Sequence, residues 1–265
     1  MKRLTALLLI LALLCGTVSA LAASTWTSPN CKHTGNTGKF CEECGEAKPA
    51  KKVTTTTSTS IKAGDYVKFG NYYQKNKDTK TPISWLVLDV DGDTLFLLSQ
   101  YGLEKRQFNK SSDGTTWKNS AVRTWLNDTF LSRAFNSSER SAIQVTVVDN
   151  SASQSKSGWN SAKRAGGTTK DRIFLLSYKE VQTYLSDSDL RMCIPTNYAI
   201  SQNCNRSPKK YLNGKSTCWY WLRSAAYKNN AGVVDWDGSV ETCYIHHNYG
   251  VVRPALWVEV SAVTK

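Results

Sequence analysis

Cys218-Trp219-Tyr220-Trp221-Leu222-Arg223-Ser224 and, 25 residues further on, Gly250-Val251-Val252-Arg253-Pro254-Ala255-Leu256-Trp257 decide how this 265-residue chain is read. Each block is aromatic and apolar over about the length of a strand, and each carries one arginine. Short runs rich in Trp, Tyr and Val predict buried strands. The residues between the blocks mix polar, aromatic and small side chains, as a surface does. Two buried strands framing a polar segment are the layout of a scaffold that displays a binding face, more than that of a catalytic centre.

At the other end of the chain, Met1-Lys2-Arg3 is a short basic start, and Leu4 to Leu14 is an apolar run too short to span a bilayer. With Ala20-Leu21-Ala22 as the cleavage site, residues 1–22 read as a signal peptide, and Val18-Ser19-Ala20 is a second option. Cys15 follows Leu14, where a lipid-anchor site needs a small residue, so it reads as part of the discarded peptide. No other stretch is apolar enough for a membrane span. The expected location is secreted or at the cell surface.

Formal charge is +13, from 34 Lys/Arg against 21 Asp/Glu. Residues 63–265 hold 26 of those bases and 18 of the acids, which leaves them at +8. A nucleic-acid binder would gather its positive charges along one helix or stripe. Here they read as scattered, a solvated surface able to adhere loosely to anionic polymer. No nucleic-acid partner is expected.

Three segments follow the signal peptide. Residues 24–48 are Cys/Gly-rich. Residues 49–62, with Thr54-Thr55-Thr56-Thr57-Ser58-Thr59-Ser60, form a Thr/Ser/Lys-rich linker with too few large apolar residues to build a core. Residues 63–265 are long enough for one well-buried domain. That domain reads as α+β. Tyr66 to Gly70 is a short strand, and Ile83–Asp89 and Thr94–Ser99 make a hairpin around Asp91-Gly92. The alternative reading of Asp89-x-Asp91-x-Asp93 as a calcium loop lacks a Glu at the twelfth position. Trp117, Val122, Trp125, Leu126, Leu131 and Phe135 recur at helical spacing behind a Ser120 or Asn119 cap. Residues 149–170 read as a long loop, Ile173–Leu176 as a buried strand, and Ser177 with Glu180 as a capping box.

Cys41-Glu42-Glu43-Cys44-Gly45 has the spacing of a zinc knuckle, with Cys31 nearby. The stretch from Trp26 to Gly45 resembles the small zinc-ribbon modules at the start of many bacterial proteins. It departs from them at Ser28, which stands where the first cysteine belongs. Either His33 or a water supplies the fourth donor to one structural zinc, or the metal is lost and Cys41 and Cys44 oxidise. A 25-residue piece needs some such staple, because its own core is small.

Cys193, Cys204, Cys218 and Cys243 are an even set in an exported domain, which suggests disulfides. Of the three possible connectivities, Cys193–Cys204 with Cys218–Cys243 is the one expected. No histidine or acid stands beside any of the four in a recognisable catalytic pattern. His246 and His247, if they lie in a strand, point to opposite faces and make a poor joint metal site. The chain has no nucleophile elbow, P-loop, Rossmann fingerprint or H-E-x-x-H.

Seven blocks of the large domain resemble, in order, those of an uncharacterised family of exported bacterial domains. They begin at Gly64-Asp65-Tyr66-Val67-Lys68-Phe69-Gly70, Pro82-Ile83-Ser84-Trp85, Trp117-Lys118-Asn119-Ser120 and Asp171-Arg172-Ile173-Phe174, then Pro195-Thr196-Asn197-Tyr198-Ala199, Trp219 and Val252. The resemblance implies a C-type-lectin-like fold with antiparallel sheets and a few short helices. Formylglycine-generating enzymes and the variable proteins of diversity-generating retroelements share that fold. In those relatives the last strands and their loops form the binding face.

Carried over, the resemblance makes Arg223 and Arg253 internal braces and residues 226–249 the displayed face. Its contact residues would be Tyr227, Asn229, Asn230, Asp235, Trp236, Asp237, Tyr244, His246, His247, Asn248 and Tyr249. Tyr, Trp and Asn give contact area and adaptable polarity at low entropy cost. Diversification of Asn-type codons would produce residues like those of Tyr244-Ile245-His246-His247-Asn248-Tyr249, but not Trp236 or Lys228. A template repeat and a reverse-transcriptase gene beside this gene would be its mark. The calcium–sugar tripeptides of lectins are missing, and the paired active-site cysteines of formylglycine-generating enzymes have no clear counterpart.

The expected function is therefore a non-enzymatic recognition module for a protein or glycan ligand, with no cofactor beyond the zinc. The alternative is a copper oxidase of the formylglycine-generating type, using Cys218 and Cys243.

Overall fold

The computed structural model describes Thr27, Ser28, residues 31–36, Cys41, Cys44, and residues 60–159 and 166–265. The chain divides into two units, Met1–Ser58 and Thr59–Lys265. The signal-peptide reading of residues 1–22 and nearly all of the linker lie outside the described residues. Among the described residues, no helix is long and apolar enough to cross a membrane.

The larger unit is mixed α and β, mostly antiparallel sheet with a few short helices. Its first sheet is built from β1 (Tyr66–Tyr73), β2 (Lys80–Asp91), β3 (Thr94–Ser99) and the late strand β15 (Ala255–Glu259), in the order β1-β2-β3-β15. All its neighbours run antiparallel. β2 and β3 are joined by the expected hairpin, with Asp91 opposite Thr94. β1 carries a bulge between Lys68 and Asn71. Gly70 is needed there: its φ is +65° and a Cβ would meet the Phe135 ring at 2.4 Å.

A second sheet has the order β13-β12-β11-β14-β5, from β5 (Glu104–Lys105), β11 (Tyr220–Ala225), β12 (Asn230–Val234), β13 (Val240–Tyr244) and β14 (Val251–Val252). Only the β11–β14 pair in it is parallel. Smaller ladders join β4 (Tyr101–Gly102) to β8 (Ile194–Pro195), β6 (Thr146–Asp149) to β7 (Thr168–Asp171), and β9 (Arg206–Leu212) to β10 (Lys215–Cys218).

The block from Gly250 to Trp257 is therefore not one strand. It is β14 in one sheet and β15 in the other, with Arg253-Pro254 at the crossing. Phe96 of β3 stacks on Trp257 of β15 at 5.0 Å between ring centroids, and on Phe174 at 5.8 Å. Ile173–Leu176, expected to be a strand, is buried but extended without a ladder. Its one bridge runs from Phe174 to Ala255, and further along the same edge of β15 Ile143 bridges to Val258.

The helices are short: α1 (Ala121–Trp125), α2 (Leu131–Ala134), α3 (Ser137–Ala142), α4 (Tyr178–Tyr184), α5 (Ser188–Arg191) and α6 (Asn197–Ser201). Ser120 caps α1 by accepting from Arg123 N, and a π-helical turn, Leu126–Phe130, carries the chain into α2. That turn shifts the face, so that Trp117, Val122, Trp125, Leu126 and Phe130 are all buried. Buried Asp171 of β7 receives Trp117 Nε1 at 2.9 Å, Arg123 Nε at 2.6 Å and Thr169 Oγ1 at 2.7 Å, which ties this helical segment to the sheet edge. Ser177 and Glu180 form the capping box of α4.

Candidate functional site

The hairpin of β12 and β13 forms the free side of the second sheet. In its register Asn230 faces Tyr244, and at the other end Val234 faces Val240. The displayed residues therefore fall into two groups at opposite ends of a five-residue ladder, roughly 13 Å apart by strand rise.

At the Tyr244 end, the turn at Tyr227–Asn230 closes through Asn230 N to Tyr227 O at 3.1 Å. Beside it, Ile245 N donates to Asn229 O at 2.9 Å. Ile245 is buried and fixes the next turn, in which His247 N donates to Tyr244 O at 2.9 Å. His246 and His247 lie in this turn, not in a strand as the sequence suggests. Their ring centroids are consequently 5.5 Å apart, and Tyr244 lies 5.7 and 5.8 Å from the two. Tyr227, Tyr244 and Tyr249 are 45%, 53% and 51% exposed. Asn248 is exposed and Asn229 and Asn230 are half-buried. Behind the turn, Asn109 N donates to Ile245 O and Asn205 N to Tyr249 O, both at 2.9 Å. The turn ends on Gly250, where a Cβ would lie 2.2 Å from the Trp219 ring.

Cys243 Sγ is 3.2 Å from His247 Nδ1, a pairing that the spacing of the two residues did not suggest. Burial pushes this thiol up to about 11. It is therefore protonated at neutral pH, a poor starting point for a nucleophile.

At the Val240 end, Asp235, Trp236 and Asp237 make the β12–β13 turn. Trp236 is packed against the core, and its carbonyl accepts from Thr217 Oγ1 at 2.8 Å. The structure thus does not bring Trp236 together with the tyrosine and histidine rings.

Arg223 and Arg253 are both buried, 3% and 4% exposed. Arg223 Nη1 and Nη2 both donate to Glu180, the second at 2.7 Å, and Nη1 reaches Leu175 O at 2.7 Å. Arg253 Nε donates to Ser99 O at 2.9 Å, and its Nη1 to Arg191 O and to the Tyr220 hydroxyl, both at 3.2 Å.

Neither expected disulfide is formed among these cysteines. Cys218 lies across an isolated bridge from Cys193, its N donating to Cys193 O at 2.8 Å. Cys243 is opposite Ala231, two strands away. The described cysteines are free thiols. Ala231 lies three positions along β12 from Val234, the partner of Tyr220, and Cys218 lies two positions beyond Tyr220, so Cys218 and Cys243 are separated by about five strand positions, roughly 17 Å along the strands. The two thiols that a copper oxidase would need are not brought together.

In the smaller unit, the thiol sulfurs of Cys31, Cys41 and Cys44 lie within 4.8 Å of one another, close enough to hold a metal. Cys31 and Cys41 Sγ are 3.6 Å apart, near the edge of about 3.8 Å expected for a tetrahedron of 2.3 Å metal–sulfur bonds. Ser28 Oγ sits 3.5 Å from Cys44 Sγ. His33 Nδ1 lies 3.8 Å from Cys41 Sγ but 3.0 Å from Asn36 Oδ1, and His33 is not one of the three-thiol group.

One feature escaped the sequence reading. The positive charges are not evenly scattered: residues 190–234 contain seven Lys/Arg and no Asp or Glu. Arg206, Lys209, Lys210 and Lys215 fall on the β9–β10 hairpin. A sliding charge count, in place of a whole-domain sum, would have found it. Beside this hairpin lies a cavity of about 560 Å³ lined by Arg206 and Lys215.

The model of a family described as Domain of unknown function (DUF6273) matches residues 92–260, from the β2–β3 turn through β15. No curated protein and no solved structure matches the chain.

Proposed function

The chain belongs to the family described as Domain of unknown function (DUF6273), and for this member we propose an exported, non-enzymatic recognition module that binds a protein or glycan. Its contact face is the end of the second sheet where Tyr227, Asn230, Tyr244, His246, His247 and Asn248 gather. The observation that carries this reading is the ring cluster of Tyr244, His246 and His247, which stands on an edge strand of a braced sheet. Exposed aromatic and amide side chains on a rigid support lose little entropy on binding. The raised Cys243 thiol and the distance between Cys218 and Cys243 weigh against nucleophilic or copper chemistry at this face.

The fold that best suits this reading is C-type-lectin-like. Two antiparallel sheets joined by the late strands β14 and β15, with the preceding hairpin displayed, support it. In the smaller unit a structural zinc would sit on Cys31, Cys41 and Cys44, with Ser28 Oγ or a water completing the tetrahedron. Metal analysis of the purified chain should give about one zinc per chain, and Cys44→Ser should remove most of it; a metal-free wild type rejects the site.

A glycan and surface-protein array, probed with the purified chain and with a Tyr244→Ala/His247→Ala variant, tests recognition. The expected result is capture by the wild type that the double variant loses. Capture that survives the double variant would move the binding face elsewhere.

A further inference from the structure

Two adjoining cavities lie along the β9–β10 hairpin, of about 560 Å³ and about 280 Å³. Tyr101, Ile194 and Lys215 line both. The larger has apolar walls from Pro82, Pro195 and Ile200; Lys75 and Arg206 also line it, and no carboxylate does. Arg253 lines the smaller.

Arg253 is 4% exposed, and its Nε and Nη1 are engaged by two carbonyls and the Tyr220 hydroxyl. Its Nη2 has no hydrogen-bond partner among the described residues, yet it is not among their polar atoms sealed from solvent. That nitrogen therefore opens on the cavity. No ion pair of the described residues includes Arg253, Lys215, Arg206 or Lys75.

A buried charge without a counter-charge is costly, by several kcal/mol even after relaxation. Arg223, equally buried, is answered by Glu180. Among the described residues no carboxylate answers Arg253 in the same way. Burial pushes the Tyr220 hydroxyl up to about 12, so it stays neutral. Burial opposes ionisation of the Cys193 thiol, but the hydrogen bond from Cys218 and the charge of Arg253 outweigh it and hold the thiol below its ordinary value; Cys193 lines neither cavity. Asp189 lines the smaller cavity but is exposed and makes no ion pair with Arg253.

We propose that this cleft is an oxyanion site, in which a carboxylate or phosphate group sits on Arg253 and Lys215 while its partly apolar carrier occupies the larger cavity toward Arg206 and Lys75. A guanidinium held rigid by its other bonds presents the N–H groups of Nη2 to an oxyanion oxygen with less loss of side-chain freedom than a flexible ammonium would suffer. The acid-free run of residues 190–234 adds a positive field that draws anions to the cleft. The site is built from β8, β9, β10 and the β14–β15 crossing, and it owes nothing to the aromatic face of β13.

The test is calorimetric titration of the full chain with inorganic phosphate and, separately, with acetate, at constant ionic strength set by chloride. At least one anion should bind saturably and raise the unfolding temperature. Lys215→Glu should weaken that binding at least tenfold while leaving the unfolding temperature in chloride alone unchanged. Lys209→Glu, on the same hairpin but outside both cavities, should change it less than twofold. A preference for phosphate or for acetate identifies which oxyanion the natural ligand carries. Absence of saturable binding by both anions overturns the proposal. So does an equal loss in the Lys215→Glu and Lys209→Glu variants, which would reduce the effect to a diffuse basic surface. Because Lys215 is exposed and braces nothing, the test stands even if Arg253 variants do not fold.

Discussion

Arg223 and Tyr244 sit two strands apart in the same sheet, on β11 and β13, and they represent opposite uses of a side chain. The Arg223 side chain is 2% exposed, with donors to Glu180, Leu175 O and Asp149 O. Tyr244 is 53% exposed and touches chiefly the two histidine rings beside it. Burial is concentrated on β11, at the centre of the sheet, where both neighbours are protein. Exposure is concentrated on β13, where one neighbour is solvent. The two can therefore change independently, and mutation can probe each without the other.

The largest expected effect is on the buried side. Arg223→Ala strands the Glu180 carboxylate and two carbonyls, and should cost about 3–5 kcal/mol in urea unfolding. A loss under 1 kcal/mol would show that β11 is not where stability resides. Trp236 comes next, since it belongs to the displayed segment by sequence but to the core by packing. Trp236→Ala should cost about 1–3 kcal/mol, and a neutral result would return it to the display side. The smallest effect is expected of Tyr244→Ala/His247→Ala, which should shift stability by no more than about 0.5 kcal/mol. A larger shift would mean that the ring cluster is itself part of the frame.

Elements with strong local chemistry were legible in the sequence. The Asp91-Gly92 hairpin, the Ser120 cap and the Ser177/Glu180 capping box all appear where their residues place them. Each depends on neighbours within a few positions. What sequence could not supply is long-range. Gly250 to Trp257 reads as one strand because nothing local marks the passage between sheets. Cys218 meets Cys193 because β10 returns beside β8, and that is a property of topology. His246 and His247 share a turn because Asn109 and Asn229 hold the backbone at Ile245. Trp236 reads as a contact residue by type, and only packing shows otherwise. The cleft depends on Arg253 lacking a carboxylate, a fact of three-dimensional arrangement alone.

The crossing at Arg253-Pro254 has a consequence for the order in which the protein is made. β15 closes one sheet by pairing with β3, and β14 joins β5 to β11 in the other. Of these, β3 and β5 were synthesised some 150 residues earlier. Neither sheet is complete until β14 and β15 have emerged from the ribosome, and contacts so distant in sequence close slowly. The nascent domain should remain protease-sensitive until Glu259 is released, and then acquire protection in both sheets together.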